Sequence, residues 1–296
     1  MPRILIVGAT GQLGAELLRA PLPSDWSIAA PGRDQLDLSA PGDIADAIVR
    51  LKPHLIINAA AYTAVDKAET EPALAFALNR DTPAALAQAA TALKAPLVHV
   101  STDYVFSGDA PRAYREDDPK NPIGAYGRSK SEGEDAILAA HRNAAVVRTS
   151  WVFSAHRANF VKTMLRLGET RDEVSVVADQ HGRPTAAADL AAACLDIAQR
   201  LLDGDQSAVG LFHFANAGDT TWADFAETIF DGARQRGRSA VKVRRITTAE
   251  YPTAAKRPSN SRLDTTKIET VLGIGPRPWR EALGECLDEL LLTGAA

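Results

Sequence analysis

Three glycines, Gly8, Gly11 and Gly14, follow the β-branched run Arg3–Val7 and lead into "AELLRA", whose apolar positions recur at helical spacing. A strand, a tight turn and a helix in that order constrain this chain more than any other feature in it. Glycine permits the sharp turn, the approach of a pyrophosphate to the backbone and the close packing of helix on strand, while the free N–H groups of the helix attract the anion. The spacing is GxxGxxG rather than GxGxxG, and no Gly-Lys-Ser/Thr follows, so the loop reads as a dinucleotide-binding turn and not a P-loop. An ordinary glycine-rich turn is the structural alternative.

The rest of the first half alternates strand and helix. A weak strand around 26–30 leads to a helix at "PGDIADAIVRLK", then come the strand "HLIINAAA", a helix from Val65 to Arg80, the helix "TPAALAQAATALK" and the strand "APLVHVSTDYVFSG". A long charged loop follows, then the helix "YGRSKSEGEDAILAAH" and the strand "AAVVRTSWVFS". These repeats predict an α/β fold, a doubly wound parallel sheet of Rossmann type with a smaller C-terminal α/β lobe. Residues 1–154 plus about 183–216 are expected to form the dinucleotide-binding domain, and about 155–182 plus 217–296 the substrate lobe, with a pocket between them.

Composition narrows the partners. The 296 residues suffice for two domains, and 46% hydrophobic with 24% charged residues is a globular balance. A formal charge of −4 leaves no basic surplus for nucleic acid or an anionic membrane. Cys194 and Cys286 stand far apart in helical stretches, which excludes a CxxC pair or a local thiolate cluster. No export signal is read at the start and no apolar stretch nears the ~18 to 20 residues that span a bilayer, so a soluble cytoplasmic protein is expected.

The second chemical signal is Tyr126-Gly-Arg-Ser-Lys130. Residues four apart share a helix face, so phenol and ammonium can both face the crevice where the strand ends with Ser101 and Thr102. A nearby cation favours phenolate and lowers the tyrosine pKa, which suits proton donation to a nascent alkoxide. Such a spacing on a lone helix is usually structural, and the glycine loop and strand-end hydroxyls supply its chemical context. Near the second strand, Arg33 could accommodate the 2′-phosphate of NADPH, whereas Asp37 suits the ribose hydroxyls of NADH. Both cofactors stay open.

These motifs, with "NAAAYTAVDKAE", "STDYVFSG", "RTSWVF", "NFVKTMLRL", "DQHGRPT" and "RPSNSRLD", extend from Ile4 to Asp264, and through them the chain resembles the extended short-chain dehydrogenase/reductases. The resemblance implies a reductase in which NADPH or NADH delivers hydride to C4 of dTDP-6-deoxy-L-lyxo-4-hexulose, that is, dTDP-4-dehydro-6-deoxy-L-mannose. It implies Tyr126 as proton donor, Lys130 as its electrostatic partner and ribose ligand, and Thr102 as the hydroxyl beside the ketone. Gly8, Gly11, Gln12, Leu13 and Gly14 would wrap the pyrophosphate, Arg33, Asp37 and Leu38 the adenosine end, and Ala59, Ala60, Ala61 and Tyr62 the middle of the cofactor. Val65, Tyr104 and Trp151 would wall the sugar pocket, with core packing as the other reading of Trp151. In "KRPSNSRLD", Lys256, Arg257 and Arg262 offer positive donors, and Arg257 is the expected contact to the diphosphate.

The histidines form no HxxH or HExxH pattern. The resemblance further implies a homodimer holding magnesium (Mg2+) between subunits through Glu16, Asp189 and Glu289, although Asp189 is shorter than the glutamate expected there. Three alternatives share parts of this pattern. A sugar-nucleotide 4-epimerase would retain its cofactor, a dehydratase would carry glutamate where Tyr104 stands, and a non-catalytic subunit similar to that of methionine adenosyltransferase would not need the intact set Thr102, Tyr126 and Lys130.

Overall fold

The computed structural model describes residues 1–292, so the last four positions of the expected substrate lobe, 293–296, lie outside the described residues. The first half runs β1 (Arg3–Val7), α1 (Gln12–Arg19), β2 (Ser27–Ala29), α2 (Pro41–Leu51), β3 (Leu55–Asn58), α3 (Val65–Ala68), α4 (Pro72–Phe76), a π turn (Ala77–Asp81), α5 (Thr82–Leu93), β4 (Leu97–Thr102), α6 (Ala125–Ala140) and β5 (Ala144–Thr149). Then follow β6 (Val152–Phe153), α7 (Phe160–Gly168), β7 (Glu173–Val177), β8 (His181–Gly182), β9 (Thr185–Ala186), α8 (Ala187–Leu202), β10 (Gly210–His213), β11 (Thr220–Thr221), α9 (Trp222–Gln235), β12 (Lys242–Ile246), α10 (Thr266–Leu272) and α11 (Trp279–Leu291).

Six parallel strands form the central sheet in the order β10-β5-β4-β3-β1-β2. Strands covered on both faces must be apolar throughout, and Ile4, Leu5, Ile6 and Val7 of β1 are buried accordingly. Leu17 of α1 and Leu190 and Ile197 of α8 cover one face. Ile44 of α2, Leu86 of α5 and Ile137 of α6 cover the other. Because β2 lies on one side of β1 and β3 on the other, the chain reverses direction across the sheet at β1/β3, which opens a crevice beyond the carboxyl ends of these strands.

A further apolar cluster joins Val161 of α7, Phe225 and Ile229 of α9, and Trp279, Leu283 and Leu287 of α11, beside the parallel pair β7/β12. Within the segment assigned to this lobe, α10 behaves differently: Ile268 and Leu272 pack with the sheet cluster. The helix expected from Val65 to Arg80 is broken into α3, α4 and the π turn, with Pro72 starting a new first turn because it has no N–H for an earlier one. The strand expected through 144–154 is interrupted at Trp151, which takes φ +49°. No helix among the described residues is long and apolar enough to cross a membrane.

Candidate active site

The glycine turn explains its own composition. Gly8 has φ +85°, and a Cβ on it would lie 2.5 Å from the Ala60 nitrogen, so the turn after β1 packs directly on the turn after β3. Any Cβ on Gly14 would overlap the Gly8 carbonyl, which is how α1 starts flush with the strand end. The Gly11 N–H donates to the Gly8 oxygen at 3.0 Å, and no side chain caps α1. Its first N–H groups and the Gln12 Oε1, buried without a protein partner, therefore belong to the crevice. Ser101 Oγ, Asp103 Oδ2 and Thr149 Oγ1, at the ends of β4 and β5, are likewise buried and unpartnered. A cradle without side chains edged by polar atoms suits a dinucleotide and a polar substrate.

Around the crevice, the Ala59 N–H donates to Val7 O at 2.9 Å, and Tyr62 is held by Asn79, whose Oδ1 accepts from its N–H at 2.8 Å. Asn79 also donates to Tyr62 O at 3.1 Å and to Ser129 Oγ at 3.0 Å, tying this loop to α6. Sequence reasoning missed Asn79 because it sits in the π turn, a distortion with no sequence signature. Past β2, exposed Arg33 lies 3.5 Å from Asp37. Hydrogen bonds from the Ser39 hydroxyl and N–H hold the Asp37 carboxyl below its ordinary range. Leu38 packs on the α2/α5 side, and its carbonyl accepts from Thr82 Oγ1 at 2.8 Å.

Tyr126 and Lys130 occupy the first turns of α6 and are both buried. The Tyr126 ring meets Tyr104 edge-on at 5.4 Å, and Val65 packs in the same small cluster. Burial pushes the phenol up to about 12, opposed by a hydrogen bond with Thr102. Lys130 Nζ donates to Val100 O at 2.8 Å and lies 3.2 Å from His99 Nε2, and burial brings the amine down to about 8. This corrects the expected electrostatics: the lysine is engaged by β4, and burial, not a neighbouring cation, dominates the phenol's titration.

Thr102 Oγ1 donates to Asp103 Oδ1 at 3.1 Å and accepts from the Tyr104 N–H at 3.3 Å. Asp103 is fully buried, and desolvation pushes it up to about 7 against hydrogen bonds from Ser261 and Thr102. Neither Asp103 nor Ser261 stood out in the sequence, since their contact depends on the 254–264 loop folding back over β4. That loop is pinned to α3: Arg257 Nη2 lies 2.6 Å from Asp66 Oδ2, and the Ala255 N–H donates to Asp66 Oδ1 at 3.0 Å. Arg257 Nη1 is buried without a partner, and its charge acts on Tyr104. Trp151 stacks on Trp222 at 3.7 Å, over Gly182, where no Cβ would fit. It therefore joins the aromatic packing of the second lobe as well as following the end of β5.

The three carboxylates expected to bind magnesium are occupied separately. Glu16 accepts from Ser154 Oγ at 2.6 Å, Glu289 pairs with Arg19 at 3.1 Å, and Asp189 accepts from Arg277 Nε at 3.0 Å and Asn216 Nδ2 at 2.6 Å. Among the described residues of one chain, no group of three or more His, Cys, Asp or Glu side chains is placed to hold a metal.

The chain matches the family model described as the RmlD substrate binding domain over residues 2–292. It is 45% identical to dTDP-4-dehydrorhamnose reductase of Sinorhizobium fredii across 99% of both chains. The structure matches that of a Clostridium acetobutylicum dTDP-4-dehydrorhamnose reductase with a TM-score of 0.90 and 39% identity, covering 97% of this chain and 99% of the other. It also matches the Bacillus anthracis enzyme of that name, solved in complex with NADP, with a TM-score of 0.89 and 37% identity, over 97% and 99% of the two chains. A glycine crevice at the switch point, the Thr102–Tyr126–Lys130 arrangement beside it and likeness along nearly the whole chain agree, and this chain belongs to the dTDP-4-dehydrorhamnose reductase family.

Proposed function

We infer that this protein is an NAD(P)H-dependent oxidoreductase that reduces the 4-keto group of dTDP-4-dehydro-6-deoxy-L-mannose to give dTDP-L-rhamnose. The observation that carries the reading is the buried Tyr126 phenol joined to Thr102 at the carboxyl end of β4, beside the glycine cradle. The bound nicotinamide supplies the hydride. Tyr126 is assigned the proton for O4: burial makes the phenol hold its proton until negative charge develops on a neighbouring oxygen. Thr102 orients that phenol and presents its hydroxyl to the ketone. Lys130 is assigned to the ribose hydroxyls, Val65 and Tyr104 to the 6-deoxy face of the sugar, and Arg257 Nη1 to a diphosphate oxygen. Trp151, stacked on Trp222, is assigned to the same pocket.

Coenzyme choice lies with the Arg33–Asp37 pair, which offers a guanidinium to the 2′-phosphate of NADPH and a carboxylate to the ribose of NADH. The test is loss of absorbance at ~340 nm with each coenzyme and enzymatically generated 4-keto sugar nucleotide, with the product identified. Oxidation of both coenzymes with formation of dTDP-L-rhamnose is expected. Folded protein that leaves the authentic substrate untouched would refute the assignment.

A further inference from the structure

His99 lies inside β4, fully buried, three residues before Thr102, and has no part in the roles above. Its ring nitrogens face two different partners: Nδ1 is 2.9 Å from Asn58 Nδ2, and Nε2 is 3.2 Å from Lys130 Nζ. The Asn58 amide cannot turn over, because its Oδ1 accepts the backbone N–H of Ala60 at 3.1 Å, and reversal would set an NH2 group against that N–H. Asn58 Nδ2 is therefore the donor to Nδ1. Nδ1 is then the acceptor of the ring, and a neutral ring carries its proton on Nε2, aimed at Lys130. Burial holds His99 well below the ordinary histidine range, so the ring is neutral.

An ammonium group has donors only, so facing Nε2–H it sets donor against donor. An amine has a lone pair that accepts the Nε2–H while its own N–H donates to Val100 O at 2.8 Å. We propose that His99 is a positioning residue for Lys130: its Nε2–H, oriented through Asn58 by the Ala60 backbone, binds the amine form and makes Lys130 an exchanger of protons rather than a fixed cation. Among the described residues, Glu134 one turn along α6 is the charged group that favours the ammonium, and both its oxygens are engaged by Arg148 at 2.9 and 2.8 Å. Asp103 acts on Tyr126 and Tyr104 instead. The turn that sets the tautomer is the one on which Gly8 packs, so the hydrogen-bonded chain from Lys130 through His99 and Asn58 ends against the glycine turn.

The inference rests on the reading of Lys130 as the amine of the catalytic set, but its test is made on cofactor-free protein. Ring ¹⁵N shifts of His99 report the tautomer, and the ¹³Cε shift of Lys130, assigned by its loss in Lys130→Met, reports the lysine titration. A neutral ring protonated on Nε2 is expected. In His99→Gln the amide can turn its oxygen toward Nζ, and the Lys130 midpoint should rise by about one pH unit or more, a tenfold change in the ammonium-to-amine ratio. A ring protonated on Nδ1, or a midpoint unmoved in His99→Gln, overturns the proposal. Should that variant fail to fold, the wild-type tautomer decides. Failure of the underlying reading would show separately, as full turnover in Lys130→Met.

Discussion

Tyr126 is where burial bears most directly on the proposed chemistry. A phenol pushed up to about 12 is a poor base but a proton source that stays loaded at neutral pH. Tyr126→Phe keeps the ring packing against Tyr104 and removes only the O–H, so kcat should fall by roughly 10² or more with cofactor affinity close to unchanged. Steady-state kinetics paired with a cofactor titration checks both halves, and near-normal turnover would remove Tyr126 from the chemistry. Tyr126, Lys130 and Thr102 were legible because local spacing alone puts two of them on one helix face and the third at a strand end. The partners that set their properties were not legible. His99 meets Lys130 only through the packing of α6 on β4, and Ser261 reaches Asp103 from a loop far along the chain.

At the scale of elements, α6 is anchored by a buried ion pair. Arg148 of β5 clasps Glu134 with two bonds, its guanidinium lies over the Phe106 ring at 4.9 Å, and its Nη1 donates to Glu116 O at 3.4 Å. Replacing such a pair with apolar residues can be neutral, whereas removing one partner strands a buried charge. Glu134→Gln should accordingly lower the unfolding free energy by about 3–5 kcal/mol, measurable by urea titration. A loss within about 0.5 kcal/mol would mean that water compensates for the missing charge. Helices such as α6 and α8 followed from apolar periodicity, and the parallel strands from unbroken apolar runs. The fragmentation of 65–81 did not, because the pairing of Asn79 with the Tyr62 backbone is a tertiary contact that outweighs helical continuity. The short α10, two turns with few apolar residues, carried too weak a period to be read.

Across the whole molecule, buried titratable groups give stability a pH dependence of definite sign. His213 is brought down to about 3 by burial and by the Arg148 charge, and His99 also stays neutral. Unfolded histidines take up protons below about pH 6.5 and these two do not, so each lowers stability by about 1.4 kcal/mol for every pH unit of acidification below that point. Asp103 works oppositely: raised to about 7, it binds its proton in the folded state between about pH 4 and 7, where an unfolded aspartate has lost it. Asp103→Asn removes that opposing group, so between about pH 6.5 and 5 the variant should lose stability faster than the wild type by about 1.4 kcal/mol per pH unit. Parallel urea titrations at several pH values read the difference, and identical slopes would show that Asp103 is ionised in the folded protein. The parallel sheet and the separate C-terminal apolar centre matched the alternation of elements in the sequence, since layer packing follows from periodicity.

The contacts of Asp66 with Ala255 and Arg257, and of Asp103 with Ser261, join the first half of the chain to its last fifty residues. During synthesis, five of the six sheet strands have been made once β5 is complete, and with them the turns that shape the nucleotide cradle. The loop carrying Arg257 and Ser261 is translated much later. A ribosome-bound chain can thus build its scaffold while that side of the crevice is still open, and gains the diphosphate contact proposed for Arg257 only near the end of its own production.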